Sequence, residues 1–228
     1  MSTQTVLVVA AHPDDEVLGC GGTMARHATD GDWVGAMFLA DGVSSRTGAE
    51  PTQCLLLEQR EAAAQAAASL LGAQQSRFFR LPDNRLDSVP LLDLVRTIES
   101  VIAEVRPDIV YTHHGGDLNI DHALVHRAVV TACRPVPSCG VRAIYAFETP
   151  SSTEWSSAAI GEAFRPTRFA DISAHLDSKI AALNCYGTEM PQFPHPRSTQ
   201  AVMALAALRG ATAGVHAAEA FQIVREVW

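Results

Sequence analysis

Apolar residues along this chain fall into two alternating patterns, short β-branched runs and longer stretches with helical spacing. The runs are Thr5–Ala10 (TVLVVA), Trp33–Ala40 (WVGAMFLA), Arg77–Leu81, Asp108–Thr112 (DIVYT) and Arg142–Phe147 (RAIYAF). Near-continuous apolar strands of this kind belong to a sheet covered on both faces. Between them, Leu55–Leu71 is rich in Ala, Leu, Glu and Gln and stops at Gly72, a helix cap. Leu91–Val105 places Leu91, Val95, Ile98, Val101, Ile102 and Val105 at helical spacing and ends before Pro107. Ala123–Cys133 is a third helix, ending before Pro135. The alternation predicts an α/β fold with a largely parallel sheet, right-handed crossovers and helices on both faces. Beyond Ser151 the pattern weakens to helices over Ile172–Tyr186 and Thr199–Leu208. The proline-rich loop Met190–Pro196 between them is placed to overhang a site. Ligands of such sheets bind at the carboxyl ends of the strands. The residues after Ala10, Ala40, Leu81, Thr112 and Phe147 are therefore where chemistry is expected.

Composition narrows the partners. A chain of 228 residues, 47% hydrophobic, suits one domain over residues 1–228. A net charge of -8 repels a phosphate backbone, which argues against a nucleic-acid partner. No apolar run approaches the roughly 18 residues of a membrane span. The first residues carry no basic stretch before their apolar run and read as a strand rather than a signal peptide. Five cysteines, an odd number without a C-x-x-C, point to a reduced, cytoplasmic setting and away from a cysteine-bound zinc. Oligomeric state is left open, a homo-oligomer included.

The first run leads directly into His12-Pro13-Asp14-Asp15-Glu16. Pro13 suits the first turn of a helix. In such a turn His12 and Asp15 converge on one point, while Asp14 projects elsewhere. A metal with a carboxylate beside it fits; acids that merely favour a helix dipole are the plainer reading. The fourth run leads into His113-His114-Gly115-Gly116-Asp117-Leu118-Asn119-Ile120-Asp121-His122. Zinc accepts His nitrogen and Asp oxygen together, and a catalytic site uses three protein ligands. His12, Asp15 and one histidine of this cluster complete such a set, with Asp121 able to orient an imidazole.

On these residues the chain closely resembles the LmbE-like (PIG-L) family of zinc deacetylases. The matching elements are AHPDDE (Ala11 to Glu16), Leu18-Gly19-Cys20-Gly21-Gly22-Thr23, Arg60, Arg106-Pro107-Asp108-Ile109-Val110, Asp121-His122, Asp171-Ile172, Lys179, Ala182 and Ala218-Glu219-Ala220-Phe221. The resemblance implies a Rossmann-like fold, a zinc ion (Zn2+) and hydrolysis of N-acetyl groups on small molecules such as amino sugars. It implies His12, Asp15 and His122 as zinc ligands and Asp14 as general base. Zinc would lower the pKa of a bound water to about 7 and polarise the amide carbonyl. One departure matters: where many members read H-P-D-H, this chain reads Asn119-Ile120-Asp121-His122. Asn119 can donate a hydrogen bond to an oxyanion but cannot shuttle a proton. Proton delivery then falls to Asp14, or to His113 or His114.

Weaker candidates for substrate contact are Asp41 and Arg46 in DGVSSR, Arg60 in its Ala-rich helix, and His195 between two prolines. An ordinary polar turn explains the first pair equally well, and a surface ion pair with Glu61 explains Arg60. His126, four residues beyond His122, reads as structural. The variant second motif and the DGVSSR turn resemble members associated with surface-polysaccharide precursors. Two other readings compete with an N-deacetylase. A nucleotide-binding Rossmann protein would use Gly19, Gly21 and Gly22, but G-x-G-G is not G-x-G-x-x-G, and the preceding acids repel a pyrophosphate. The glycines are expected to allow close helix–strand packing. A non-catalytic metal- or sugar-binding module leaves Asp14 without a purpose.

Overall fold

The computed structural model describes residues 3–45, 50–137 and 139–227. Its strands are β1 (Thr5–Ala10), β2 (Trp33–Ala40), β3 (Gln75–Leu81), β4 (Ile109–His113), β5 (Ala143–Phe147), β6 (Arg168–Asp171) and β7 (Ala218–Glu226). Its helices are α1 (Asp15–Thr29), α2 (Glu50–Leu70), α3 (Leu91–Val105), α4 (Ile120–Ala132), α5 (Leu176–Cys185) and α6 (Thr199–Ala213). The strands form one sheet in the order β3-β2-β1-β4-β5-β7-β6. The first five are mutually parallel, as their apolar runs predict. Strand β7 runs antiparallel to both β5 and β6. These last two strands were not legible as apolar runs: β6 has four residues, and the outer half of β7 is partly exposed.

Alternation along β1 divides the core. Val6 and Val8 face one layer with residues of α1, α2 and α5. Leu7 and Val9 face the other, with α3 and α4. Helices thus cover both faces. The order reverses at β1, between β2 and β4, and ligands of open α/β sheets bind at such a switch point.

Helix α1 is broken at Cys20, whose φ of -147° and ψ of 22° are not helical. A break frees N–H donors that an intact helix would bond internally. Glu219 on β7 collects them. Its carboxylate accepts from Gly22 N at 2.9 Å, from Thr23 N at 2.7 Å and from Thr23 Oγ1 at 2.6 Å. Lys179 Nζ of α5 donates to the same group at 2.6 Å and to Leu18 O at 2.9 Å. The glycines serve close packing, as expected: a Cβ on Gly19 would lie 2.2 Å from the Phe147 ring. Removing one partner of a buried ion pair leaves the other uncompensated. Glu219→Ala is therefore expected to lower unfolding free energy by about 3–5 kcal/mol, read by urea denaturation. A loss under about 1 kcal/mol would contradict a structural role for this pair.

Candidate metal centre and catalytic cavity

The turn after β1 is tighter than a helix entry. Asp15 N donates to His12 O at 3.3 Å, and α1 begins at Asp15 rather than at Pro13. Asp14 occupies the N-cap position with φ 122°, outside the favoured regions for an L-residue, a strain of order 1–3 kcal/mol. Its side chain makes no capping bond. The turn instead separates the two aspartates, as the spacing implied.

Asp15 is fully buried and faces three imidazoles. Its Oδ2 lies 3.1 Å from His12 Nδ1, 3.3 Å from His122 Nε2 and 3.5 Å from His113 Nε2. Burial opposes ionisation of Asp15, but the imidazoles of His122, His113 and His12 outweigh it and hold the carboxyl well below its usual range. His12, Asp15 and His122 bring ligand atoms within 4.8 Å of one another, a spacing suited to one cation. Asp15 Oδ1 and both ring nitrogens of His122 are buried without a hydrogen-bond partner among the described residues. Buried polar atoms left in this state are what a metal would satisfy.

Each histidine of this set has a carboxylate behind it. Asp121 Oδ2 and Asp83 Oδ1 both lie 3.0 Å from His12 Nε2. Asp121 thus backs His12 rather than its neighbour His122. Asp117 Oδ1 lies 3.1 Å from His122 Nδ1, off the hydrogen-bonding angle, and accepts from Asn119 N, Ser152 Oγ and, through Oδ2, Thr153 Oγ1. Burial opposes it, yet His122 and these hydroxyls bring Asp117 down to about 2. His12, Asp83 and Asp121 form a second cluster of compatible spacing. Its carboxylates are already served, by Asn84 N, Leu86 N, Asn84 Nδ2 and Ser45 Oγ, so the first cluster is the better metal site.

Asp14 stands outside the ligand set. Arg197 Nη1 donates to its Oδ2 at 3.0 Å, and Arg60 Nη1 to the same oxygen at 3.3 Å. Burial raises its pKa from the ordinary value, and the two guanidiniums temper the rise. Arg60 is only 6% exposed, so the surface-pair reading fails; Glu61 pairs with Arg80 instead. Arg60 also donates to Pro13 O at 2.8 Å and contacts Glu189 at 2.6 Å. His12, Asp14, Gly42, Ser45, Arg60, Asp83, Asn84, Asn119, Glu189 and Arg197 line a polar cavity of ≈ 130 Å³. Gly42 is fixed there by φ 71° and by the closeness of Pro13.

Other expected residues go elsewhere. Asn119 lines the cavity, but its Oδ1 caps α4 by accepting from Asp121 N, and its Nδ2 donates to Asn84 Oδ1. His113 accepts from Ala11 N at Nε2, which puts its ring proton on Nδ1, facing Thr149 Oγ1 at 3.2 Å. Burial and the adjacent His122 push it well below the usual imidazole pKa. It is fully buried, stacked on His122, and not among the residues that line the cavity. His114 bonds Glu162 O at 2.8 Å and lines a different groove. His126 is structural, bonding His113 O. Asp41 forms the ordinary turn, accepting from Val43 N and Ser44 N. His195 accepts from Arg197 N and packs on Trp155, ordering the loop rather than lining the cavity. Arg46 lies outside the described residues. Arg197, Asp83 and Asp117 are the residues that motif reading missed. The strand-end rule pointed to Asp83 after Leu81, and the proline-rich loop pointed to Arg197.

Comparison with known proteins agrees with this geometry. The family described as PIG-L, GlcNAc-PI de-N-acetylase, matches residues 7–133. An Escherichia coli K12 protein named uncharacterized deacetylase YaiS is 32% identical over 184 residues, 78% of this chain and 88% of its own. A 4-oxalmesaconate hydratase of Pseudomonas putida is 31% identical over 199 residues, 80% of this chain and 72% of its own. The crystal structure of conserved protein TT1542 from Thermus thermophilus superposes with a TM-score of 0.79 at 27% identity, covering 99% of this chain and 97% of that one. With the motif, the sheet order and the buried His–Asp–His set in agreement, the chain belongs to the PIG-L family.

Proposed function

We propose that this chain hydrolyses the N-acetyl group of an amino sugar or amino-sugar conjugate, with zinc as its metal, and releases acetate. The observation that carries this reading is the buried set of His12, Asp15 and His122 beside an unliganded, arginine-gripped Asp14. The family description, a GlcNAc-PI de-N-acetylase, supports the amide and the amino sugar. A zinc ion held by His12, Asp15 and His122 would supply Lewis acidity toward the acetyl carbonyl and toward a water. Asp14 accepts the proton of the attacking water. Among the described residues both guanidinium contacts fall on Oδ2, so Oδ1 is the oxygen available for this transfer. The same carboxyl returns the proton to the nitrogen as the C–N bond breaks, giving acetate and the free amine. Asp83, Asn84 and Ser45 on the cavity wall offer partners to sugar hydroxyls. A nucleotide-binding role is not favoured, since buried Asp14, Asp15 and Glu16 fill the position of a pyrophosphate.

The hydratase relative marks the rival reaction class, water addition without amide cleavage. Acetate release from a panel of N-acetylated amino sugars and sugar nucleotides is the deciding assay. Hydration of an unsaturated acid without acetate release from any member would overturn the proposal. Asp14→Asn is expected to retain metal and lose at least about 100-fold in rate, the scale of a lost acid–base group. Near-normal turnover would remove Asp14 from this role.

Asn119 requires a variant that keeps its cap. Serine caps a helix about as well as asparagine, but its short hydroxyl does not reach the cavity. If the spare N–H of the Asn119 amide steadies the oxyanion, Asn119→Ser lowers the rate by about 100-fold or more while stability and metal content hold. An unchanged rate would leave Asn119 as a cap alone.

A further inference from the structure

The turn that presents Asp14 is held by groups that the proposed reaction does not use. Asp14 N–H points inward, and Glu16 Oε2 accepts it at 2.9 Å. The other oxygen, Glu16 Oε1, accepts from Tyr186 Oη at 2.6 Å. Glu16 is 2% exposed and Tyr186 1%, and neither lines the cavity. Tyr186 is the C-cap of α5. A few residues on, Glu189 contacts Arg60 Nη2, and Arg60 Nη1 contacts Asp14 Oδ2 and Pro13 O. The segment 186–189 therefore grips Asp14 twice, its backbone through Glu16 and its carboxylate through Arg60.

We propose that Glu16 and Tyr186 are positioning residues that hold Asp14 in its positive-φ turn and keep its carboxylate in the cavity. This deepens the reading of Asp14 as general base and rests on it. Aspartate at an N-cap ordinarily bonds the N–H groups of the first helical turn. Asp14 does not, because its backbone is rotated to φ 122°. The acceptor that makes this rotation tenable is Glu16, since a buried N–H without a partner would be costly. Without Glu16 the turn relaxes, and the Asp14 carboxylate swings back to cap α1. Tyr186 fixes the acceptor in turn: its hydroxyl holds the far oxygen of Glu16 inside the core. Tyr186 Oη donates to Glu16 Oε1 across 170 positions of the chain, so this contact ties the turn to the end of α5.

The test uses the metal-loaded enzyme and four variants. Glu16→Ala removes the acceptor. Its kcat is expected to fall at least about tenfold, since a misplacement of about 1 Å can cost about 100-fold, with KM and metal content nearly unchanged. Glu16→Gln should restore most of kcat. Its carbonyl accepts the Asp14 N–H, and its amide donates to the Tyr186 oxygen, which can also accept. A crystal structure of Glu16→Ala should find the Asp14 carboxylate turned toward the first N–H groups of α1. Wild-type kcat in Glu16→Ala, equal losses in the Ala and Gln variants, or an unmoved Asp14 would overturn the proposal. If Glu16→Ala does not fold, Tyr186→Phe carries the test: kcat falls with KM and metal content held, and an unchanged kcat overturns it. Asp14→Asn separates the two levels of the argument. An active Asp14→Asn means the base assignment itself has failed. An inactive Asp14→Asn beside a normal Glu16→Ala means only the positioning role has failed.

Discussion

Four ionisable side chains within five residues, His12, Asp14, Asp15 and Glu16, are buried at the end of β1, and each must be answered by a partner. Burying charge without one would cost more than a fold of this size can offset. Most of the site follows from where those partners come from. His12 is answered by Asp83 after β3 and by Asp121 on α4. Asp14 is answered by Arg60 of α2 and by Arg197 before α6. Asp15 faces His113 of β4 and His122 of α4, and Glu16 meets Tyr186 at the end of α5. One turn thus ties together elements from the whole length of the chain. The parallel sheet brings them within reach, because its strand ends converge at the switch point beside β1.

The same constraint explains why the acids divide their work. Asp15 lies among imidazoles and, among the described residues, keeps an unpartnered oxygen, as a ligand would. Asp14 lies among guanidiniums, which hold one of its oxygens without neutralising it as a covalent or metal bond would. Burial pushes Asp14 upward and the surrounding imidazoles hold Asp15 downward, so two adjacent aspartates acquire different chemistry from their surroundings. Backbone strain at Asp14 is the local expense of pointing the two side chains apart.

The parallel core was legible because β1, β2, β4 and β5 are apolar on both faces, which few other structures require. β6 and β7 were not, because a short edge strand and a half-exposed antiparallel strand lack that signature. The start of α4 was misplaced by three residues because its first turn carries Asp121 and His122, polar residues that hide helical periodicity until the Asn119 cap is seen. At the site, two separate motifs supplied the candidates, His12, Asp14 and Asp15 after β1 and His122 at the start of α4, and the fold brings His12, Asp15 and His122 together. Residues that act through tertiary contact were not visible this way. Arg197 is one basic residue in a loop, and Asp83 one acid in a turn, until the fold brings both to the cavity. His113 and His114 failed in the opposite direction: they stand next to the motif, but the backbone directs one into the core and the other to a separate groove.

The central claim is that one cation sits between His12, Asp15 and His122 while Asp14 stays free. Anomalous diffraction from crystals soaked in zinc tests it most directly. A single strong peak is expected about 2.0–2.2 Å from nitrogens of His12 and His122 and an oxygen of Asp15, with no ligand bond to Asp14. A peak instead between His12, Asp83 and Asp121, or one that takes Asp14 as a ligand, would contradict it.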